Sequence, residues 1–233
     1  KGANGNFDKI SPRLGSDDYD GYEAVDFIIR EALKMEERKL VLIPVGKLTN
    51  IALAIKKEPR IMEKIRIVWL GSNYPERGEY NLENDIGALN YILDRQVPFE
   101  MVVVRYGTPY GSDVVRVTPA EIAERMKNLG PKVMPVEGRH GGTFTSFGDY
   151  SIDLFSNIKL SGNPPSRALY DLVALAIVKN PAWGQQRTIP APYMQDSLWH
   201  ENPGNERHVT IWENFDKKSI LEDFYRSIKN AGQ

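Results

Sequence analysis

The chain has no cysteine, only 3 histidines and no Asn-x-Ser/Thr sequon. The first absence excludes disulfides and thiolate metal sites. His140, His200 and His208 lack ligand spacing, so a histidine metal site is not expected. No apolar run approaches the roughly 18 residues of a membrane span, so no membrane partner is expected. Neither charge sign dominates, with 30 basic residues against 31 acidic ones. Without a basic stripe or an RNA-binding aromatic motif, a nucleic-acid partner is not expected either. The chain opens on Lys1 in a Gly/Asn-rich stretch, KGANGN, so no targeting segment can be judged. The compartment stays open, with the cytoplasm favoured.

What is present is enough apolar material, 41% of 233 residues, for one α/β domain with a sizeable core. The most organised stretch is 39–84. The run LVLIPV at 40–45 has the length of a strand, Gly46-Lys47-Leu48 turns the chain, and Thr49 is placed to cap a helix over 50–57. A second run, IRIVWL at 65–70, ends at Gly71-Ser72-Asn73. Strand, helix and strand in this order make a parallel βαβ unit with a right-handed crossover. Open parallel sheets bind ligands at the carboxyl ends of their strands. Val45, Asn73, Glu79 and Asn81 would fall at that edge, where a small polyhydroxylated ligand is expected.

Elsewhere, residues 1–20 read as loop and 22–37 as an amphipathic helix. A helix over 85–94 capped by Asp85 and a third strand over 99–104 extend the pattern to β-α-β-α-β. Thr118-Pro119-Ala120-Glu121 is a capping box that predicts a helix over 119–129. Residues 130–165 show no clear period and read as a long functional or mobile loop, or as one holding unrecognised helices. A buried helix over 169–179, short strands over 187–191 and 208–212, and an amphipathic helix over 219–229 complete the chain. The Gly46-Lys47 pair lacks the other residues of a phosphate loop and reads as a tight turn. Gly138-Arg139-His140-Gly141-Gly142 reads as a flexible loop, not an anion nest. Asp17, Asp18 and Asp20 read as a solvated turn, not a calcium loop.

Two features resist a bland reading. If 79–85 is extended, Glu79, Asn81 and Glu83 share a face, and a carboxylate beside a carboxamide suits vicinal hydroxyls. The alternative is a polar loop with Asn84-Asp85 capping the next helix. Asp171 is a charge inside an apolar helix, which calls for a partner or a metal. Its alternative is a first-turn aspartate facing the helix dipole.

Taken together these features resemble the inosine–uridine-preferring nucleoside hydrolase family. The family's Gly-x-Leu-Thr-Asn-Ile-Ala is matched by Gly46-Lys47-Leu48-Thr49-Asn50-Ile51-Ala52. Its later Pro-x-Ile is matched by Pro59-Arg60-Ile61, and the strand ending in an apolar residue plus Gly by Leu70-Gly71. Its Glu-Phe/Tyr-Asn is Glu79-Tyr80-Asn81, followed by Asp85-Ile86-Gly87-Ala88. Its late His-Asp-x-x-Ala-x-Ala appears as Tyr170-Asp171-Leu172-Val173-Ala174-Leu175-Ala176. Order and spacing agree over roughly residues 40–180.

The resemblance implies an α/β fold, a mostly parallel, Rossmann-like open sheet with helices on both faces. It implies a calcium cofactor, with the Val45 carbonyl and the Asp171 carboxylate as ligands. Glu79 and Asn81 would bind ribose hydroxyls, with Leu70 packed under the sugar, and Asn73 would stand for the family's substrate-binding asparagine in this loop. Tyr170 stands where several relatives have the His that protonates the leaving base, and a phenol does this less readily at neutral pH. The family's opening strand and aspartate-rich turn have no match in residues 1–39, so the expectation is a chain lacking that first segment, supplied otherwise by a complementing chain. The implied activity is calcium-dependent hydrolysis of a nucleoside or related N-riboside. The alternatives are a non-catalytic nucleoside- or sugar-binding protein of the same fold and a glycosidase pairing Glu79 with Glu83. Trp183, Trp199, Tyr193 and Phe147 are the aromatics expected to stack on the base. A homodimer or homotetramer is expected, since domains of this kind often dimerise.

Overall fold

The structure is a computed structural model that describes residues 4–16, 18–34 and 37–231. The stretch read as an opening loop contains a short helix, α1 (Phe7–Ile10), and a 3-10 turn, because Phe7 and Ile10 are buried against the core. Helix α2 (Tyr22–Leu33) ends earlier than expected; residues 35 and 36 of its expected last turn, like Asp17, lie outside the described residues. Strand β1 (Leu40–Leu42) leads into α3 (Thr49–Lys57), and β2 (Ile65–Leu70) follows. Next come α4 (Tyr80–Glu83), α5 (Ile86–Leu93) and β3 (Phe99–Val102). A two-residue strand, β4 (Arg116–Val117), precedes α6 (Pro119–Met126), whose Thr118–Glu121 capping box forms as predicted.

Residues 130–165 are not a long loop. They hold a hairpin, β5 (Lys132–Glu137) and β6 (Thr143–Ser146), and then α7 (Phe147–Asn157). The hairpin leaves no apolar period because β5 is exposed along its whole length. The Gly138–Gly142 stretch is its turn. Helix α7 is capped by Ser146, which accepts from the Asp149 N–H. It lies close enough to α6 that a Cβ on Gly148 would meet the Met126 carbonyl oxygen at 1.8 Å. After β7 (Arg167–Ala168) come α8 (Tyr170–Lys179), β8 (Gln185–Pro190), β9 (Tyr193–Gln195), β10 (Leu198–His200), β11 (His208–Glu213) and α9 (Lys217–Asn230).

The main sheet has the order β1-β2-β3-β11-β8. Its first four strands are parallel, and β8 closes one side antiparallel to β11. Alternation along β2 sends Ile67 and Trp69 to one face and Val68 and Leu70 to the other. The first pair packs with Val25, Ala52, Leu89 and Ile92 from α2, α3 and α5. The second packs with Val173, Ala174, Ile177 and Tyr225 from α8 and α9. Burial on both faces is why these strands read as unbroken apolar runs. This is the mostly parallel α/β architecture expected. Among the described residues no helix is long and apolar enough to cross a membrane.

Asp85 joins three segments of the first layer. One oxygen accepts from the Ala88 N–H at 3.1 Å and caps α5, as the sequence predicts. The other accepts from the Phe7 N–H at 2.8 Å and from the Thr49 hydroxyl. Thr49 therefore does not cap α3. It sits in the first turn, and Leu48 takes the cap position with no side-chain bond. Asp85 is 3% exposed, so removing its carboxylate strands buried donors. Asp85→Ala should lower the unfolding free energy by about 3 kcal/mol. Urea denaturation reads this directly, and a loss below about 0.5 kcal/mol would mean that Asp85 does not hold these segments together.

Candidate active site at the carboxyl edge of the sheet

The loops after β2 and β3 meet where their strands end: the Val104 N–H donates to the Ser72 carbonyl at 2.8 Å. Glu79 lies just beyond. The expected extended run does not form, because Tyr80–Glu83 winds into the one-turn helix α4 with Glu79 as its cap. Glu79, Asn81 and Glu83 therefore do not share a face, and Glu83 is exposed. The physical reason is that a buried carboxylate here collects backbone donors. Glu79 Oε2 accepts from the Ser72 and Leu82 N–H groups, both at 2.9 Å. Glu79 Oε1 accepts from the Asn81 N–H at 2.9 Å. A carboxylate offers about four acceptor positions, so roughly one on Oε1 is left for a ligand.

Asn81 donates its amide to the Leu70 carbonyl at 3.0 Å, tying α4 to the end of β2. Leu70 itself is buried, with its side chain in the second core layer. Asn73 is also buried; its amide donates to the carbonyls of Arg77 at 3.2 Å and Gly78 at 2.8 Å.

Tyr170 opens α8, and its hydroxyl donates to Asp113 Oδ1 at 2.6 Å. The same oxygen takes Arg116 Nη1 at 2.8 Å, and Asp113 Oδ2 accepts from the Gly107 N–H at 3.0 Å. Burial, then the neighbouring carboxylate, push the Tyr170 phenol well above its ordinary range. The Tyr106 ring meets Tyr170 edge-on at 5.9 Å. Burial, followed by the Glu79 charge, pushes its phenol upward. The set is thus two bonded groups, Glu79 with Asn81 and Leu70, and Tyr170 with Asp113 and Tyr106.

Val45 and Asp171 are not bonded into that set among the described residues. Val45 is exposed where the chain leaves β1. Asp171 is exposed on the first turn of α8, at the rim of a cleft of about 470 Å³ lined by Met126, Phe147, Phe155 and Phe224. The apolar walls raise its carboxyl above the usual range, and the nearby Arg167 opposes this. Among the described residues no group of three or more His, Cys, Asp or Glu side chains is arranged to hold a metal. Calcium takes six to eight oxygen ligands, so the Val45 carbonyl and Asp171 do not make its site alone.

Of the expected stacking aromatics, Trp199 packs edge-on against Tyr74, Tyr193 stacks on His200, and Trp183 packs against the second core layer. Phe147 faces the Asp171 cleft. Asp18 pairs with Arg13 and Ser16 in an exposed turn. Sequence reading missed Tyr106, Asp113 and Arg116. The signal was there: Asp113 and Arg116 bracket Val114 and Val115, an ion pair at i,i+3 inside an apolar run.

Comparison with known proteins follows this geometry. The chain is 28% identical over 167 residues to the pyrimidine-specific ribonucleoside hydrolase RihB of Escherichia coli O17:K52:H18, covering 68% of this chain and 47% of that one. Its fold is similar to the crystal structure of an inosine-uridine preferring nucleoside hydrolase from Bacillus anthracis, with 17% identity and a TM-score of 0.64 over 89% of this chain and 65% of that one. It is similar also to a purine-preferring ribonucleoside hydrolase from Gardnerella vaginalis, with 22% identity and a TM-score of 0.63 over 89% and 66% of the two chains. The chain thus spans about half the length of the sequence relative and about two-thirds of each solved structure. The family model described as inosine-uridine preferring nucleoside hydrolase matches residues 1–222, and the chain belongs to that family.

Proposed function

We propose that the protein hydrolyses the N-glycosidic bond of ribonucleosides or related N-ribosides, giving ribose and free base. The observation that carries this is the Glu79 carboxylate, buried yet left with one acceptor position at the ligand-binding edge of a parallel sheet. That position accepts one ribose hydroxyl, and the Asn81 carboxamide oxygen is the partner for its neighbour. Leu70 fixes the floor, since its carbonyl anchors Asn81. Hydrogen bonds to sugar hydroxyls strengthen as the ring gains oxocarbenium character and the bond to the base stretches. Tyr170 is the catalytic residue on the leaving-group side. Its proton is committed to Asp113 and held tightly, so it orients and closes the site more than it protonates the base.

In this reading Val45 and Asp171 contribute two oxygen ligands to a calcium ion that supplies the activated water when bound. Homodimer or homotetramer assembly is part of the same reading. A second reading, a protein that binds a nucleoside or sugar without cleaving it, is favoured by the small ligand set and by the Tyr170–Asp113 bond.

Incubated with ribonucleosides and calcium, the protein should release free base, measured by chromatography, and exhaustive chelation should abolish the release. Release undiminished by chelation removes calcium from the mechanism; tight binding in calorimetry with no release selects the second reading. Glu79→Gln should lower kcat/KM by about 100-fold, because a carboxamide nitrogen would face N–H donors. The exposed Glu83→Ala should change it by less than about twofold, and equal losses in both variants would favour a paired-carboxylate glycosidase.

A further inference from the structure

Helices α6 and α9 face each other across a cavity of about 370 Å³, lined chiefly by Glu121 and Arg125 of α6 and by Lys217, Lys218, Glu222 and Tyr225 of α9. The α9 residues stand at i, i+1, i+5 and i+8, along one face of the helix. None of the six belongs to the site at the sheet edge. Three are cations, and Arg125 and Lys217 have no carboxylate partner among the described residues. Lys218 Nζ stands 4.0 Å from Glu222 Oε1 with both side chains largely exposed, a pairing worth little in water. Lys217 and Lys218 open a 14-residue helix whose first turn holds no acid, and the positive end of the helix dipole disfavours cations there. The acids close by spend their oxygens on helix caps. Asp216 accepts from the Ser219 N–H at 3.1 Å and its hydroxyl at 2.7 Å. Glu121 Oε2 accepts from the Thr118 N–H at 2.9 Å and its hydroxyl at 3.2 Å. The charged donors left without a partner are therefore those of Arg125 and Lys217.

A second, independent observation comes from the floor of the groove. Tyr225 is 6% exposed, and its hydroxyl has no hydrogen-bond partner among the described residues. The Arg125 guanidinium lies over its ring, 4.3 Å from the centroid. Burial, followed by the Glu121 charge, pushes the phenol up to about 12, and Arg125 opposes this. Both charges that act on the phenol line the groove, so the hydroxyl is aimed into it. A buried hydroxyl with nothing to donate to is destabilising, and an acceptor brought by a ligand relieves it.

We propose that this groove binds a phosphate group, free or carried by a small organic molecule, between the Arg125 guanidinium, the Lys217 ammonium and the Tyr225 hydroxyl. A guanidinium offers paired N–H groups that match two phosphate oxygens, and an ammonium adds a point charge. A third oxygen then remains to accept from the phenol, which a planar carboxylate cannot provide at the same time. The N-terminal end of α9 adds its dipole. Arg125 is exposed on a flexible stem, so its guanidinium can leave the ring for the anion and open the way to the hydroxyl. Bound there, the ligand joins α6 to α9, the helices that bring Ile122 and Leu221 to the second core layer. The proposal is independent of the nucleoside-hydrolase reading.

The test is calorimetry and thermal unfolding of the whole protein with inorganic phosphate, glycerol 3-phosphate and acetate, each at the same ionic strength. Both phosphates should bind and raise the melting temperature with concentration, and acetate should do neither. Arg125→Ala should weaken phosphate binding about 10-fold or more, and Lys217→Ala about 5-fold. Both residues are exposed, so these variants should melt with the parent when phosphate is absent. Tyr225→Phe keeps the ring and removes only the hydroxyl. It should melt no lower than the parent without phosphate, and bind phosphate about 5-fold more weakly. Equal binding of the two phosphates supports a site for the phosphate group itself, and tighter binding of glycerol 3-phosphate supports a site for its esters. The site is overturned if neither binds, if acetate acts as strongly, or if Arg125→Ala and Tyr225→Phe bind like the parent. A Tyr225→Phe variant that melts well below the parent also overturns it, because the hydroxyl would then have a partner within the fold.

Discussion

A carboxylate taken out of water has to be met by donors, and at Glu79 three backbone N–H groups meet it. Two of them belong to α4 and the third to the loop leaving β2. Satisfying that one charge therefore closes the loop onto the helix and sets the position of Asn81, Tyr80 and Leu82. Asp85, six residues on, performs the same task on the opposite layer, gathering Phe7, Thr49 and Ala88. Two buried acids in one short stretch thus divide the work, one shaping the ligand edge and the other holding the helical layer beneath it.

The parts of the fold legible in the sequence were those whose burial leaves a pattern. IRIVWL at 65–70 coincides with β2 because both of its faces are covered, and Thr118-Pro119-Ala120-Glu121 announces α6 through its own chemistry. β1 and β3 end earlier than the apolar runs suggested; past Leu42 and Val102 the chain peels away toward the carboxyl edge. The β5–β6 hairpin was illegible because β5 is exposed along its whole length, and α7 because its glycine and aromatic residues imitate a loop. α4 was misread for a different reason. A single helical turn has no period to detect, and its cause, the three donors on Glu79, is a tertiary fact.

The site was legible in part. Glu79, Asn81 and Leu70 were singled out in the sequence and are joined directly in space, although as a capped turn and not an alternating strand. Tyr170 packs edge-on against Tyr106, a residue that no spacing rule picks out. Val45 and Asp171 were singled out by position and by burial of a charge, and only their role as calcium ligands came from the family resemblance. Family membership thus carries the chemistry further than the residues alone do, while the residues determine which part of that chemistry this chain itself supplies.

The ion pairs of Arg105 and Arg116 have an electrostatic consequence. Arg116 is already matched to Asp113 and wrapped by Ser161 and Ser166, and Arg105 shares Glu213 with Arg187. Arg116 has its own counter-ion, whereas Arg105 and Arg187 share one. An anion arriving there would compete with those carboxylates for the same guanidinium N–H groups.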